Sequence, residues 1–202
     1  MTPWPEMDDV INLNVGHLSC LGARSRSREA QAGYDIAVHN AARGLRVAMF
    51  APDLTARNPV PGLTIHRSQP LTAAGIETKL TDMVDSRVRA DLVVIDRLQL
   101  MHTDDGSRRV TRPEQVEPVS FELKHIAMSE YLGQPPVLLI ARLERPRRQG
   151  HELHLDDLGI AAEMEYHADT VALLDRTEPA EVNVLVAKDR SGPTPRRLSV
   201  SW

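Results

Sequence analysis

The chain has 202 residues, 42% of them hydrophobic and only 3% aromatic, with a formal net charge of −4. That length suits one α/β domain whose core is built from Leu, Val, Ile, Ala and Met. The charge argues against a globally cationic nucleic-acid binder. The single cysteine, Cys20, excludes an internal disulfide or a multi-Cys zinc site, and no apolar run reaches the roughly 20 residues of a membrane span. No basic-then-apolar leader opens the chain, so a cytoplasmic setting is expected.

Residues 1–16 are acidic and Pro-containing and read as a lead-in arm; residues 17–202 read as one domain. Leu18 to Leu21 predicts a strand ending at Gly22, followed by the arginine-rich turn Ala23-Arg-Ser-Arg-Ser-Arg28. A helix is expected from Glu29 to Arg43, with Gly44 as its left-handed stop. Arg46 to Ala51 is a second buried strand, stopped by Pro52-Asp53, and Leu63 to His66 a short one. From Thr72 to Val88, Ile76, Leu80, Met83 and Val84 mark one helical face. The run Leu92-Val-Val-Ile-Asp96 is unbroken apolar sequence ending in an acid, the pattern of a strand buried on both faces.

A loop from His102 to Pro113 leads to a helix over 114–132, closed by Gly133, then a strand from Pro136 to Ala141. After a charged loop, a short helix is expected over 156–166. Three strands end the chain, over 170–175, 181–188 and 196–202, the last two joined by a turn at Ser191-Gly192-Pro193. Strands alternating with helices, then a hairpin, specify an α/β fold: a mostly parallel sheet with an antiparallel edge. Asp96 stands at the carboxyl end of its strand, where open α/β sheets bind ligands; a plain loop cap is the simpler role.

Several blocks resemble the C-terminal, RecA-like motor domain of DnaB-type replicative helicases. Val93-Val-Ile-Asp-Arg-Leu-Gln-Leu-Met101 is similar to that family's second nucleotide motif, with Arg97 in place of a tyrosine. Val119-Ser-Phe-Glu-Leu-Lys124, the Asp157-Leu158 and Glu165-Tyr-His-Ala-Asp169 spacing, and Val186-Ala-Lys-Asp-Arg-Ser-Gly-Pro-Thr194 follow its later motifs in order. The resemblance implies a three-layer RecA-like domain with a C-terminal antiparallel hairpin. It also implies ATP with Mg²⁺ at Asp96, single-stranded DNA as a partner, and a ring of copies or a DnaB-like ring.

The phosphate loop departs from that family. The equivalents of G-x-x-x-x-G-K-[ST] are Gly22 to Glu29, in which Ser27 replaces a glycine, Arg28 the lysine and Glu29 the Mg²⁺-binding hydroxyl. Ser27 adds a Cβ where the backbone should approach phosphate, and Arg28 is bulkier than a lysine and aimed differently. Glu29 repels a triphosphate by about 1 kcal/mol at ~4 Å in water. As ordinary structure, Ser27 caps the helix and Glu29 opposes its dipole. Asp53 stands where the family has its water-polarising glutamate, and Arg142 where it has a sensor glutamine. Together these predict a degenerate site: no cofactor, or ATP with Mg²⁺ only if the atypical loop still works.

By the resemblance, Lys188 and Arg190 match the cations that reach a neighbour's γ-phosphate across a ring interface. Arg108, Arg109 and Arg112, and Arg145, Arg147 and Arg148, resemble in position the two DNA-facing loops; as plain structure they are solvated charge. His151, His154 and Asp156 have metal-ligand chemistry without a supporting helix. The expectation is a DnaB motor-like protein with lost or weakened hydrolysis, a nucleic-acid-binding or ring-associating subunit in DNA replication or repair. Two alternatives stay open: an active ATP-dependent helicase-type ATPase with an atypical loop, and a protein-interaction module using the old subunit interface.

Overall fold

The computed structural model describes residues 1–24, 31–55, 57–104, 106, 108–143, 152–178 and 181–201. Among them, eight strands form one sheet. In chain order these are β1 (Leu18–Arg24), β2 (Val47–Phe50), β3 (Leu63–His66), β4 (Leu92–Asp96), β5 (Val137–Leu143), β6 (Thr170–Glu178), β7 (Glu181–Asp189) and β8 (Arg196–Ser201). The spatial order is β3-β2-β4-β5-β1-β6-β7-β8. From β3 to β6 the pairing is parallel, and β7 and β8 add antiparallel strands at one edge.

Alternation along the central strands sorts side chains onto two faces. Leu92 and Val94 of β4 join one core cluster with Leu138, Ile140, Leu21 and Ala23, while Val93 and Ile95 join the other with Leu139, Leu18 and Cys20. Helix α1 (Pro5–Asp8) and helix α2 (Ala32–Ala42) cover the first face, and α3 (Ala73–Asp85) and α4 (Pro113–Met128) the second. Hence a sheet with a helix layer on each face, the arrangement the sequence predicts. Cys20 is buried in the core, and that burial lifts its thiol to about 12.

Local signals explain most boundaries. Thr72 Oγ1 accepts from the Gly75 N–H at 2.9 Å and caps α3, and Gly44 and Gly133 take φ of +90° and +86°. Several elements differ from expectation, and β1, β5 and β6 run two or three residues past their expected ends, to Arg24, Leu143 and Glu178. Helix α4 stops at Met128 rather than 132, its last turn closing at Ser129. The short helix expected over 156–166 forms over Leu155–Glu165 as 3-10 turns, broken at Gly159 with φ 55°. The lead-in residues are tied into the core: Met7, Val10 and Ile11 are all buried under the sheet.

Candidate functional site

The parallel strands β2, β4, β5 and β1 lie side by side, so the segments leaving their carboxyl ends share one rim of the sheet. Asp96 closes β4, and by alternation it follows Leu92 and Val94 toward the α2 face. Phe50 is in register with Ile95, which places Asp53, three residues past β2, beside Asp96. The Asp53 carboxylate is held by Arg97, whose Nη2 donates to Oδ2 at 3.2 Å, both groups being partly exposed. Burial pushes the Asp96 carboxyl above its ordinary value; the Arg97 charge pulls it down and the Asp53 charge pushes it further up. The rim thus holds two acids and one guanidinium in mutual range.

Arg142 reaches the same rim from β5, paired in register with Ala23. Its backbone is clamped on both sides by one amide: Gln99 Oε1 accepts from the Arg142 N–H at 3.0 Å and Gln99 Nε2 donates to the Arg142 carbonyl at 3.1 Å. Its side chain is exposed. Gly22 lies inside β1, which runs on to Arg24 against Leu143. A Cβ there would meet Leu143 and Leu173 at 2.8 Å and Leu158 at 2.9 Å, so close packing requires this glycine. Ser27, Arg28 and Glu29 lie outside the described residues.

Lys188 and Arg190 sit far from this rim. Sheet order separates β7 from β4 by four strands, roughly 19 Å at the usual spacing. Both cations are engaged within the chain: Lys188 Nζ donates to the Glu165 carbonyl, and Arg190 Nη2 to the Tyr166 carbonyl at 3.3 Å. Arg190 Nη1 also lies 3.4 Å from Asp169 Oδ1. Burial, with Arg190 next, holds the Lys188 ammonium below its usual value. Asp169 is the hub: it accepts from Leu18 N–H at 2.8 Å and Lys124 Nζ at 2.6 Å.

Of the basic loop residues, Arg108, Arg109 and Arg112 are exposed before and at the start of α4. Arg109 and Arg142 line one open cleft of about 720 Å³, with Gln99 and Thr111, over Val110, Leu143, Leu158 and Ile160. Arg145, Arg147 and Arg148 lie outside the described residues, as does His151. His154 Nδ1 pairs with Asp156 Oδ2 at 3.1 Å, and among the described residues no group of three His, Cys, Asp or Glu side chains converges as a metal would require.

The sequence reading gave no role to Gln99, Lys124 or Asp169, and none to Arg97 beyond its departure from the motif. Each lies in a motif block, so the signal is present, but the hydrogen bonds that Gln99, Arg97, Lys124 and Leu18 make to their partners span 43 to 151 positions.

Residues 55–201 match the model of the DnaB-like helicase C terminal domain. The replicative DNA helicase DnaB of Leifsonia xyli subsp. xyli (strain CTCB07) is 34% identical over 142 residues, which is 65% of this chain and 30% of that protein. The replicative DNA helicase DnaB of Mycoplasma pneumoniae (strain ATCC 29342 / M129 / Subtype 1) is 28% identical over 140 residues, 61% of this chain and 29% of its own length. The chain therefore spans about 30% of the length of these curated relatives. Among solved structures, a DnaB-like replicative helicase described with its primase interactions overlays with a TM-score of 0.79 at 18% identity, covering 98% of this chain and 58% of that one. The RadB recombinase gives 0.64 at 14% identity, covering 98% and 94%. These overlays show a RecA-like fold, no helix among the described residues is long and apolar enough to cross a membrane, and the chain belongs to the DnaB-like helicase C-terminal domain family.

Proposed function

We propose that this chain is a DnaB-type motor domain whose own nucleotide site has lost or weakened hydrolysis. It acts as a nucleic-acid-binding or ring-associating subunit in DNA replication or repair. The observation that carries the reading is Asp53. At the position of the family's water-polarising acid, this half-exposed carboxylate engages one of its oxygens with Arg97 of the same chain, at 3.2 Å. It is also one methylene shorter than glutamate, and a misplacement of about 1 Å at such a position can cost ~100-fold in rate. The Ser27-Arg28-Glu29 loop supports the same reading, because it offers neither the lysine nor the hydroxyl of a working phosphate site.

What the fold keeps supports the other half. Arg109 and Arg142 share an exposed cleft on the rim, with Arg108 and Arg112 beside it, and clustered cations of this kind bind phosphate backbone without reading sequence. Lys188 and Arg190 lie too far from their own rim to serve it, which supports a role toward a nucleotide held by a neighbouring subunit.

The test is equilibrium binding of a fluorescent ATP analogue, with and without Mg²⁺, to the wild type and to Asp96→Ala. No binding up to millimolar nucleotide is expected. Micromolar, Mg²⁺-dependent binding that disappears in the variant would overturn the reading and restore the ATPase.

A further inference from the structure

Asp53 and Asp96 stand at the carboxyl ends of neighbouring parallel strands, and Arg97 directly follows Asp96. Membership of this family implies a divalent cation at Asp96. Such an ion needs oxygen ligands, typically one or two carboxylates completed by waters and phosphate. The residues present do not fit one. The second carboxylate of the pair already accepts the Arg97 N–H bond at 3.2 Å. A doubly charged ion brought to Asp96 is repelled by the positive charge of this guanidinium.

The backbones that carry the two groups are fixed. The Arg97 carbonyl accepts from the Leu100 N–H at 2.9 Å, and the next residue, Leu98, is fully buried, which pins the chain as it leaves β4. Across from it, the Asp53 turn is tied by the Leu54 N–H to the Ala51 carbonyl at 3.1 Å, and the Ala51 N–H to the His66 carbonyl at 3.0 Å. Separating Arg97 from Asp53 while keeping both backbones in place requires a new side-chain rotamer, with loss of a charge-assisted bond.

We infer that Arg97 is a built-in counter-ion that stands in for the divalent cation at the ends of β2 and β4. It is a specificity residue: it pairs with Asp53, sets a positive charge near Asp96 without any ligand, and closes the site to Mg²⁺. This rests on the reading that the site does not hydrolyse ATP, and names the residue that excludes the metal.

The test uses Mn²⁺ alone, without nucleotide, titrated into the full chain and followed by the electron paramagnetic resonance signal of the free ion. Wild type and Arg97→Lys, which keeps the charge, are expected to show no Asp96-dependent uptake up to millimolar Mn²⁺. Arg97→Gln is expected to bind Mn²⁺ at least about tenfold more tightly than wild type, and adding Asp96→Asn abolishes the gain. Arg97 is about one-third exposed, so the variant is expected to fold, and a thermal melt checks this; Arg97→Met carries the same test should Gln fail. Asp96-dependent Mn²⁺ uptake by the wild type at tens of micromolar, or no tightening on removal of the charge, overturns the inference. With no nucleotide present, the two readings fail separately. ATP-analogue binding by the wild type defeats the proposed function, whereas Mn²⁺ uptake without nucleotide binding defeats only the role of Arg97.

Discussion

At the scale of single residues, the most consequential charge outside the rim is Asp169. It is 8% exposed, yet it accepts from the Leu18 N–H and the Lys124 ammonium and faces Arg190, joining the starts of β1 and β6 to α4. Burial alone would raise its carboxyl; the Lys124 bond, the Leu18 N–H and the charges of Lys124 and His17 outweigh burial and hold it below the ordinary value. A carboxylate whose folded pKa is depressed stabilises the fold above its unfolded pKa, and that contribution fades as pH falls through the folded one. Asp169→Asn leaves the largely buried Lys124 without a counter-ion, holding only the Gly16 carbonyl, and is expected to cost about 1–3 kcal/mol at neutral pH. Urea denaturation checks this. The difference between wild type and variant should shrink as pH drops below about 3.9, the usual carboxylate value; a pH-independent difference would mean that packing rather than charge explains the loss.

At the scale of elements, Gly22 separates two reasons for a glycine. In a phosphate loop its absent side chain would let backbone approach a ligand; inside β1 it makes room for Leu143, Leu158 and Leu173. Gly22→Ala therefore overpacks the core against three side-chain ends at once, and an expected loss of about 1–3 kcal/mol lowers the melting temperature by several degrees. A melt unchanged from wild type would return Gly22 to the loop. The strands were legible in the sequence because each is an apolar run stopped by Pro, Gly or a charge, and α3 was legible from its Ile76 and Leu80 spacing. Asp96 was legible for the same reason, as an acid ending the purest of those runs. The bond from Arg97 to Asp53 was not, since it spans 44 positions and depends on β2 lying next to β4, which no local pattern encodes. Nor was the burial of Met7, Val10 and Ile11, which lie in a short polar stretch and meet the sheet only through tertiary packing. The break in the 155–165 segment was signalled only by Gly159, which reads equally well as an ordinary helix residue.

At the scale of the whole molecule, a net charge of −4 does not stop the Arg109–Arg142 cleft from attracting an anion. Screening at physiological salt cuts interactions off within about 8 Å, so a phosphate at the cleft meets Arg109 and Arg142 and little of the acidic remainder. The loop from His102 to Arg112 contains no aromatic residue beyond the imidazole of His102, so stacking on bases contributes little there and affinity comes from phosphate contacts. Binding of a labelled single-stranded oligonucleotide, followed by anisotropy over a salt series, is therefore expected to be indifferent to base sequence and to weaken steeply with salt. For single strands the slope of log affinity against log salt is about −0.7 per phosphate neutralised, so the double variant Arg109→Ser, Arg142→Ser should flatten it by roughly 1.4. Lys188 and Arg190 lie strands away and are occupied by backbone carbonyls, so Lys188→Ala and Arg190→Ala should leave the slope unchanged. If instead those two changes flatten the slope and the cleft variants do not, the nucleic acid lies along the β7 edge. The rim cations would then be solvated charge.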